Sequence, residues 1–304
     1  MGKISLITLC YNQLEKAIIP MLESLYKFTN PESFDLIIIN NASSDGTKEF
    51  LADFSSKKDN VTIINNEQNF GFSKGMNQGL KIAKGDYIFL LNNDILFSPN
   101  WLEKFVEILE KNDDIGLISC KTNYAGENFQ LAENYEKLTP ENYLENICKD
   151  DKNEIEYVDT ARVVFFCVGM TRKTFEKVGY FDENFGLAWF EDDDYTIRTL
   201  LAGLKIAIAR NIFVYHNHSL STSSIAKSKE GKALFEKNKK YFESKHTIYT
   251  MLKNIAKNNT ENECQKWENK HHKYKKYFNI FLPILITETI IILAETIFIL
   301  LRLK

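Results

Sequence analysis

Short apolar runs alternate with amphipathic stretches in the first part of the chain. Runs rich in Ile, Leu and Val predict strands at residues 4–9, 36–39, 61–64, 87–91 and 115–119. Helical spacing lies between them, around residues 14–28, 47–56, 73–83 and 99–109. This alternation predicts an α/β fold with a mostly parallel central sheet and helices on both faces. Strands buried on both faces are nearly continuous apolar runs, as these are.

The pattern is weaker from residue 123 onwards. Residues 123–158 are polar and aromatic, and we interpret them as an insertion or as a long loop that contains a helix. Further strands are predicted at 159–168, 206–209 and 212–215, and helices at 171–178, 191–202 and from 227 onwards. We therefore predict one α/β domain over residues 1–225, with halves that meet near residue 121, and a Lys-rich helical extension over 226–304.

Charge is divided unequally between these two predicted units. Residues 226–277 contain 14 Lys and 6 Glu and carry +8, whereas the residues before 226 carry −11 of a net charge of −3. An acidic body followed by a basic segment indicates two units with different partners. Because a nucleic-acid-binding cleft needs basic residues, an acidic body argues against a nucleic-acid partner.

The five cysteines are odd in number, widely spaced and without a C-x-x-C pair. This pattern is typical of reduced thiols in the cytosol, and it predicts neither a disulfide framework nor a zinc site. The first predicted strand begins at residue 4, which is too early for a signal peptide. We therefore expect a cytoplasmic protein.

Polar segments follow the first four predicted strands, at residues 8–12, 40–47, 69–79 and 92–94. Ligands of open α/β sheets bind beyond the carboxyl ends of the strands, so these segments are the candidate binding residues. Each one alone is also typical of a loop, and Asp45 could simply cap a helix. Their succession at four strand ends favours a ligand site. Neither a G-x-G-x-x-G motif nor a phosphate-binding G-x-x-x-x-G-K-[ST] motif occurs.

Two acidic features suggest chemistry at such a site. Asp94 follows the apolar run 88–91, where a carboxylate is unfavourable unless it is paired or bound to a metal; the alternative is a simple turn. A hard oxygen ligand at that place suits Mg²⁺ or Mn²⁺. The four acidic residues 191–194 begin a predicted helix and exceed what helix capping needs. They point in different directions, so at most two of them can face a substrate.

Two histidines, His216 and His218, end the last predicted strand. Their spacing directs both imidazoles the same way from an extended chain. A histidine at a strand end is usually structural, but here the pair would join a predicted acidic site that requires metal.

Residues 4–221 resemble glycosyltransferase family 2, whose members have the GT-A fold. The resemblance is carried by segments 36–47, 69–94 and 178–185, and by Glu191-Asp192-Asp193-Asp194 followed by Arg198 and Gly203. The nearest resemblance is to rhamnosyltransferase-like members that build bacterial surface glycans. It implies a catalytic domain with a donor half at about 1–121 and an acceptor half at about 122–225.

The resemblance also implies a role for individual residues. Asp94 would bind the metal from the family's D-x-D position, together with His216, with His218 as the alternative. Asp192 would be the general base, beside Glu191 in the family's acidic dyad. The donor would be surrounded by Thr8, Tyr11, Asn40, Asp45, Asn69, Lys74 and Asn93. Asn40 stands where many members have an Asp that contacts the base, which leaves the nucleotide open.

The implied function is an inverting, metal-dependent transfer of a sugar. The donor would be a nucleotide-diphosphate sugar, of the UDP or dTDP type, and the acceptor a hydroxyl of a glycan or lipid-linked glycan. The cofactor would be Mg²⁺ or Mn²⁺. A nucleotidyltransferase is one alternative, although it leaves the acidic dyad unexplained. A catalytically silent module that binds sugar nucleotides is another, although it would not need the dyad. Whether the chain forms a homo-oligomer is left open.

The last segment, residues 278–301, is almost wholly apolar apart from Pro283, Glu288 and Glu295. About 20 apolar residues suffice to span a bilayer. The segment either enters a membrane, lies on its surface, or docks as an ordinary helix on the body or on a partner subunit. The basic residues 270–276 favour anionic lipid on the cytoplasmic side. We expect an enzyme held at the inner face of the cell membrane through residues 270–304.

Overall fold

The computed structural model describes residues 2–125, 130–132, 137–147, 157–217, 228–247 and 250. The chain divides into two compact units, Met1–Glu236 and Lys237–Lys304. The first unit contains the sheet and every site residue that the sequence predicts. The described part of the second unit continues a helix that begins at Lys229.

The described strands are β1 Ile4–Cys10, β2 Phe34–Asn40, β3 Val61–Asn65, β4 Tyr87–Asn92, β5 Ile95–Leu96, β6 Ile115–Lys121, β7 Tyr157–Thr160, β8 Cys167–Thr171, β9 Lys205–Phe213 and β10 Tyr215–His216. The described helices are α1 Ile19–Phe28, α2 Thr47–Ser56, α3 Gly71–Ile82, α4 Trp101–Lys111, α5 Tyr143–Ile147, α6 Arg172–Val178, α7 Glu191–Leu201 and α8 Lys229–Lys245. A π-helical turn, Leu14–Ile18, precedes α1.

Eight strands form one sheet in the order β3-β2-β1-β4-β8-β6-β9-β7. The pairs β1–β2, β1–β4, β2–β3 and β6–β9 are parallel. Strand β8 runs antiparallel to both of its neighbours, and β7 runs antiparallel to β9. The prediction of a mostly parallel α/β sheet is confirmed. The chain leaves β1 towards β2 and returns on the other side at β4, so a ligand crevice is expected beyond the carboxyl ends of these strands.

Apolar cores cover both faces of the sheet. Helices α1, α2 and α4 contribute to one core, for example through Leu22, Leu51 and Phe105. Helices α3, α6 and α7 contribute to the other core, through residues such as Met76 and Tyr195. Burial on both faces explains why the strands are continuous apolar runs.

The prediction of a single strand at 159–168 is wrong. Strand β7 ends at Thr160 on the outer edge of the sheet, and β8 begins at Cys167 between β4 and β6. The connecting residues include an apolar run with strand-like alternation: Val163 is buried in one core and Phe166 in the other. The amide of Val164, however, donates to a side-chain oxygen of Gln130 (2.8 Å) and not to a strand. Full or partial burial of residues 163–165 outside any strand produced the misleading pattern.

The strand-like runs 206–209 and 212–215 are also organised differently. The first run and the first half of the second belong to one strand, β9, which continues to Phe213. Val214 belongs to no strand, and β10, which follows it, pairs with β5 outside the main sheet. This short pair positions two of the predicted site residues.

No helix among the described residues has the length and apolarity needed to cross a membrane. The apolar segment 278–301 lies outside the described residues, as does His218. The membrane contact predicted for residues 270–304 therefore stays a prediction.

Candidate active site

The pairing of β5 with β10 brings Asp94 and His216 together. Ile95 lies opposite His216, and the backbone amide of Asn217 donates to the carbonyl oxygen of Asp94 (2.7 Å). As a result, Oδ1 of Asp94 lies 3.3 Å from Nε2 of His216, and both side chains are largely buried. The buried carboxylate that the sequence placed after β4 is therefore next to the predicted imidazole.

The imidazole of His216 is held by groups on several elements. Asn123 accepts a hydrogen bond from the His216 amide (2.6 Å) and donates to its carbonyl oxygen (3.1 Å). Nδ1 lies 3.1 Å from the carbonyl oxygen of Tyr124, which can only accept, so Nδ1 carries a proton. The ring stacks on Phe166 at 5.4 Å between centroids. These contacts direct Nε2 towards Asp94, as outer contacts orient a metal-binding histidine.

Two of the four carboxylates that begin α7 are used in ion pairs. Arg162 donates to Asp193 (3.1 Å from Nη2 to Oδ2), and Arg198 donates to Asp194 (2.9 Å from Nε to Oδ2). Asp194 is fully buried, and Arg198 also donates to the carbonyl oxygen of Val178 (2.7 Å). Asp193 therefore links α7 to Arg162, and Asp194 orients Arg198, on the same helix, towards the carbonyl oxygen of Val178.

The other two carboxylates, Glu191 and Asp192, form no ion pair within the described part of the chain. Oδ1 of Asp192 accepts from the amide of Asp193 (2.9 Å), and Oε2 of Glu191 is buried without a hydrogen-bond partner. Burial raises the pKa of both carboxyls, and repulsion from neighbouring carboxylates raises it further, while Arg162 lowers the pKa of Asp192. A carboxyl with a raised pKa and an oxygen available for a ligand suits general acid–base chemistry near neutral pH.

We expect Asp192→Asn to stabilise the protein at high pH. Because the folded state raises the pKa of Asp192 to about 7, it holds this proton more tightly than the unfolded chain, whose carboxyl has a pKa of about 3.9. Stability is therefore lost as the pH rises between these two values, and the amide avoids that loss. The melting temperature of the variant should exceed that of the wild type at pH 8 and match it near pH 4. If the melting temperatures of the variant and the wild type differed by the same amount at both pH values, the raised pKa of Asp192 would be contradicted.

The residues between β7 and β8 connect the Asp94–His216 pair with the start of α7. The carbonyl oxygen of Phe166 accepts from the amide of Asn92 (2.8 Å), and its ring contacts His216. Four residues earlier, Arg162 pairs with Asp193. Four residues span at most about 14 Å, so the backbone at Arg162 lies within about 14 Å of the backbone at Phe166, beside His216.

A network of carboxamides lies at the carboxyl ends of β2 and β3. Asn40 donates to Asn65 (2.9 Å) and accepts from the amide of Ser43 (3.1 Å). Asn41, fully buried, donates to Asn69 (2.7 Å) and accepts from Asn66 (3.0 Å). Of the predicted donor residues, Asn40 and Asn69 are therefore brought into one polar network.

The remaining predicted donor residues are placed differently. Asp45 accepts from the hydroxyl of Thr47 (2.6 Å) and the amide of Leu14 (3.0 Å), so it links the start of α2 to the π-helical turn, whereas the N-cap of α2 is Gly46. Lys74 lies over the ring of Phe70, and the buried hydroxyl of Thr8 has no hydrogen-bond partner among the described residues. Tyr11 is half-buried and Asn93 is buried. Ligand contacts for these residues stay predictions.

Sequence reasoning missed three residues that shape the site. Asn123 clamps His216 from 93 residues away, and Arg162 pairs with Asp193 across 31 residues. Neither residue has a local signal, because both act through contacts that only the folded chain creates. Asn41 could have been found, since it stands next to Asn40 at the end of β2.

The loop that leads into α7 is fixed against α3. Asn77 donates to the carbonyl oxygen of Phe181 (3.0 Å) and accepts from its amide (2.9 Å). The amide of Phe72 donates to the carbonyl oxygen of Leu187 (3.2 Å). Gly71 has a φ of +79°, and a Cβ there would lie 2.4 Å from the carbonyl oxygen of Gly186. The backbones approach so closely that only glycine fits.

We expect Gly71→Ala to lower stability more than a glycine substitution that only creates strain. The added Cβ would collide with backbone atoms, at a cost of about 1–3 kcal/mol beyond the strain of a positive φ. Gly179→Ala is a matched control, because its φ is +84° and no atom lies within 4 Å of its Cβ position. Equal losses of melting temperature in the two variants would contradict the close approach.

The Asp94–His216 pair fits a divalent cation only in part. Within the described ranges, no group of three or more His, Cys, Asp or Glu could hold a metal ion. A carboxylate oxygen and an imidazole nitrogen supply two ligands, so the remaining ligands would have to come from a bound diphosphate and water. Imidazole is a poor ligand for Mg²⁺, and the mixed pair favours a transition metal such as Mn²⁺.

Comparison with known proteins supports the resemblance to glycosyltransferase family 2. The family model described as glycosyl transferase family 2 matches residues 5–179. An uncharacterized glycosyltransferase of Methanocaldococcus jannaschii is 28% identical over 140 residues, which are 46% of this chain and 47% of that protein. A poly-beta-1,6-N-acetyl-D-glucosamine synthase of Staphylococcus epidermidis is 31% identical over 116 residues, which are 38% of this chain and 27% of that protein.

The fold has solved counterparts. The crystal structure of GalNAc-T7 with UDP, GalNAc and Mn²⁺ superposes with a TM-score of 0.59 at 16% identity, covering 81% of this chain and 51% of that chain. At this identity the likeness concerns the fold alone. The matches cover about a third to a half of the length of the first curated relatives.

Proposed function

Because the chain belongs to glycosyl transferase family 2, with a GT-A type α/β fold, we propose that it transfers a sugar from a nucleotide-diphosphate sugar to an acceptor hydroxyl. The proposal rests on the polar groups at one edge of the sheet, beyond the carboxyl ends of its parallel strands. A buried carboxylate–imidazole pair, a carboxamide network and two carboxyls with raised pKa lie along it. These are the groups needed for a diphosphate, a nucleoside and an acceptor hydroxyl.

The donor would bind beyond the ends of β1, β2 and β4. Asp94 and His216 would hold a divalent cation, which offsets the charge of the diphosphate when it is bound. One solved structure of similar fold holds UDP and Mn²⁺ and another holds GDP-Man and Mn²⁺, which suits Mn²⁺ as the cation and leaves the nucleotide to experiment. Asn40 is neutral and can both donate and accept, so it suits a pyrimidine edge that carries an N–H beside a carbonyl.

The chemistry would be carried by Asp192. Its ionised oxygen would take the proton of the acceptor hydroxyl while that oxygen attacks the anomeric carbon from the face opposite the diphosphate. A single displacement of this kind inverts the anomeric centre. Burial and repulsion between neighbouring carboxylates raise the pKa of both Glu191 and Asp192, so the dyad suits proton transfer near neutral pH, with Asp192 as the base. The Arg162–Asp193 pair and the bond from Arg198 to the carbonyl oxygen of Val178 would hold α7 so that the attack is in line.

The product would belong to a polysaccharide or a related surface glycan. Support comes from the Staphylococcus epidermidis relative, whose name states that it synthesises poly-beta-1,6-N-acetyl-D-glucosamine. The rhamnosyltransferase-like resemblance points to a different sugar within the same class of product. The membrane contact predicted for residues 270–304 would suit a lipid-linked acceptor.

A donor screen tests this function. Purified protein would be incubated with UDP-, dTDP- and GDP-sugars, with Mn²⁺, with Mg²⁺ or with a chelator, and donor hydrolysis and melting temperature would be measured. We expect one nucleotide class to be hydrolysed and to stabilise the protein only with a divalent cation. Binding without turnover would favour a silent module. Exchange of pyrophosphate into a nucleoside triphosphate would favour a nucleotidyltransferase.

A further inference from the structure

Aromatic side chains surround the start of α7. Trp189 and Phe190 directly precede Glu191, and the ring of Phe235 on α8 contacts both. The ring centroids of Trp189 and Phe235 are 5.9 Å apart, and those of Phe190 and Phe235 are 5.2 Å apart. Phe235 is 39% exposed and Leu187 is 41% exposed, although both are apolar. We call Leu187, Trp189, Phe190 and Phe235 the aromatic platform.

The aromatic platform is held in one conformation. Trp189 and Phe190 have φ angles of 73° and 74°, a region that costs bulky residues about 1–3 kcal/mol each. Such a conformation persists only where the surroundings impose it. The carbonyl oxygen of Leu187 is bound by the amide of Phe72, and the backbone at Gly186 is packed against Gly71. The rings are therefore presented on a preformed surface, as is usual for a ligand site.

We propose that the aromatic platform binds the pyranose ring of a saccharide acceptor. This inference rests on the proposed function, since the acceptor hydroxyl has to reach Asp192, two residues after Phe190. One face of a pyranose consists of C–H groups, and it gains free energy by packing on an aromatic ring. The hydroxyl groups at the rim of the ring then point towards the carboxyls that follow the platform.

Glu191 supplies a second, independent reason for a polar ligand at this place. Its Oε2 is buried and has no hydrogen-bond partner among the described residues. An unsatisfied buried oxygen of this kind costs about 1–3 kcal/mol until a ligand satisfies it. A ring hydroxyl can do so, whereas an acyl chain cannot and would desolvate the carboxyls as well. The combination of an apolar face and an unsatisfied carboxyl therefore selects a sugar over a lipid chain.

The experiment measures sugar binding separately from donor chemistry. Full-length protein, with Mn²⁺ and the nucleoside diphosphate selected by the donor screen, would be mixed with a panel of methyl pyranosides and with 1-hexanol. Saturation-transfer NMR reports which probe protons contact the protein. We expect transfer to the ring C–H protons of at least one methyl pyranoside, and less transfer to hexanol.

Substitutions in the aromatic platform test whether the saturation-transfer signal arises there. Phe235→Ala should reduce the sugar signal at least fivefold, and Phe235→Trp should retain it because a ring remains. Trp189→Leu, which keeps an apolar side chain, should also reduce it. Leu201→Ala is the matched control, because Leu201 is a 71% exposed apolar residue at the other end of α7. Donor hydrolysis by Leu201→Ala should equal that of the wild type, because Leu201 lies outside the aromatic platform.

Three results would overturn the proposal: no transfer to any pyranoside, stronger transfer to hexanol, or a signal that neither ring substitution reduces. In each of these cases, donor hydrolysis by the wild type would leave the proposed function intact. A wild type that hydrolyses no donor would instead contradict the proposed function itself.

Discussion

Replacing Asp192 with Asn is expected to lower kcat by about 10²-fold or more while leaving donor affinity unchanged. The amide cannot accept the proton of the acceptor hydroxyl, but it has the same shape and keeps an oxygen for the amide of Asp193, which Oδ1 of Asp192 accepts at 2.9 Å. Helix α7 should therefore stay in place. Steady-state transfer rates and the donor dissociation constant from calorimetry would be measured on the same preparations.

The matched control for this prediction is Glu176→Gln on α6. Glu176 is exposed and is none of the residues assigned to the site, so the change removes one carboxylate and should leave kcat unchanged. Full activity of Asp192→Asn would remove Asp192 from the role of base. A parallel loss of donor affinity would instead indicate that the substitution disturbs the donor site.

Replacing either Asp94 with Asn or His216 with Gln is expected to raise the Mn²⁺ concentration for half-maximal activity by about 10–100-fold. Oδ1 of Asp94 and Nε2 of His216 are 3.3 Å apart, so both side chains can reach the same cation. The double variant should be little worse than either single variant, because each change disrupts the same pair. The measurement is a Mn²⁺ titration of donor hydrolysis.

Asp86→Asn is the control for the cation prediction. Asp86 precedes β4 at the opposite end from Asp94, and its carboxylate accepts from the amide of Lys3 (3.0 Å). Its loss should leave the Mn²⁺ requirement unchanged. Fully additive effects in the Asp94 and His216 double variant would contradict a shared cation.

The sheet and the order of its elements could be predicted because burial acts on consecutive residues. Strands β1, β2 and β4 are apolar along nearly their whole length, since both faces are covered. The polar residues that follow them are visible for the same reason: the apolar pattern stops where the strand ends. The carboxylate Asp94 stands out for its position after such a strand.

The assembly of the site could be predicted only in part, because it depends on contacts between distant residues. Strands β5 and β10 have two residues each, too few for a periodic pattern, yet they bring Asp94 to His216. Which of the four acidic residues 191–194 form ion pairs also depends in part on a distant contact. Their different directions suggested that at most two face a substrate. Asp194 pairs with Arg198 one turn along the same helix, which is a local contact, but the pairing of Asp193 with Arg162 is formed only by the fold.

The central claim is that the Asp94 turn, the start of α7 and the His216 bend form one donor site. A crystal structure of the protein with UDP and Mn²⁺, with anomalous data collected at the manganese edge, tests it most directly. We predict a manganese peak in contact with Asp94, His216 and the diphosphate, with Asp192 facing the space for the sugar. UDP bound elsewhere, or a manganese peak remote from both Asp94 and His216, would contradict the account.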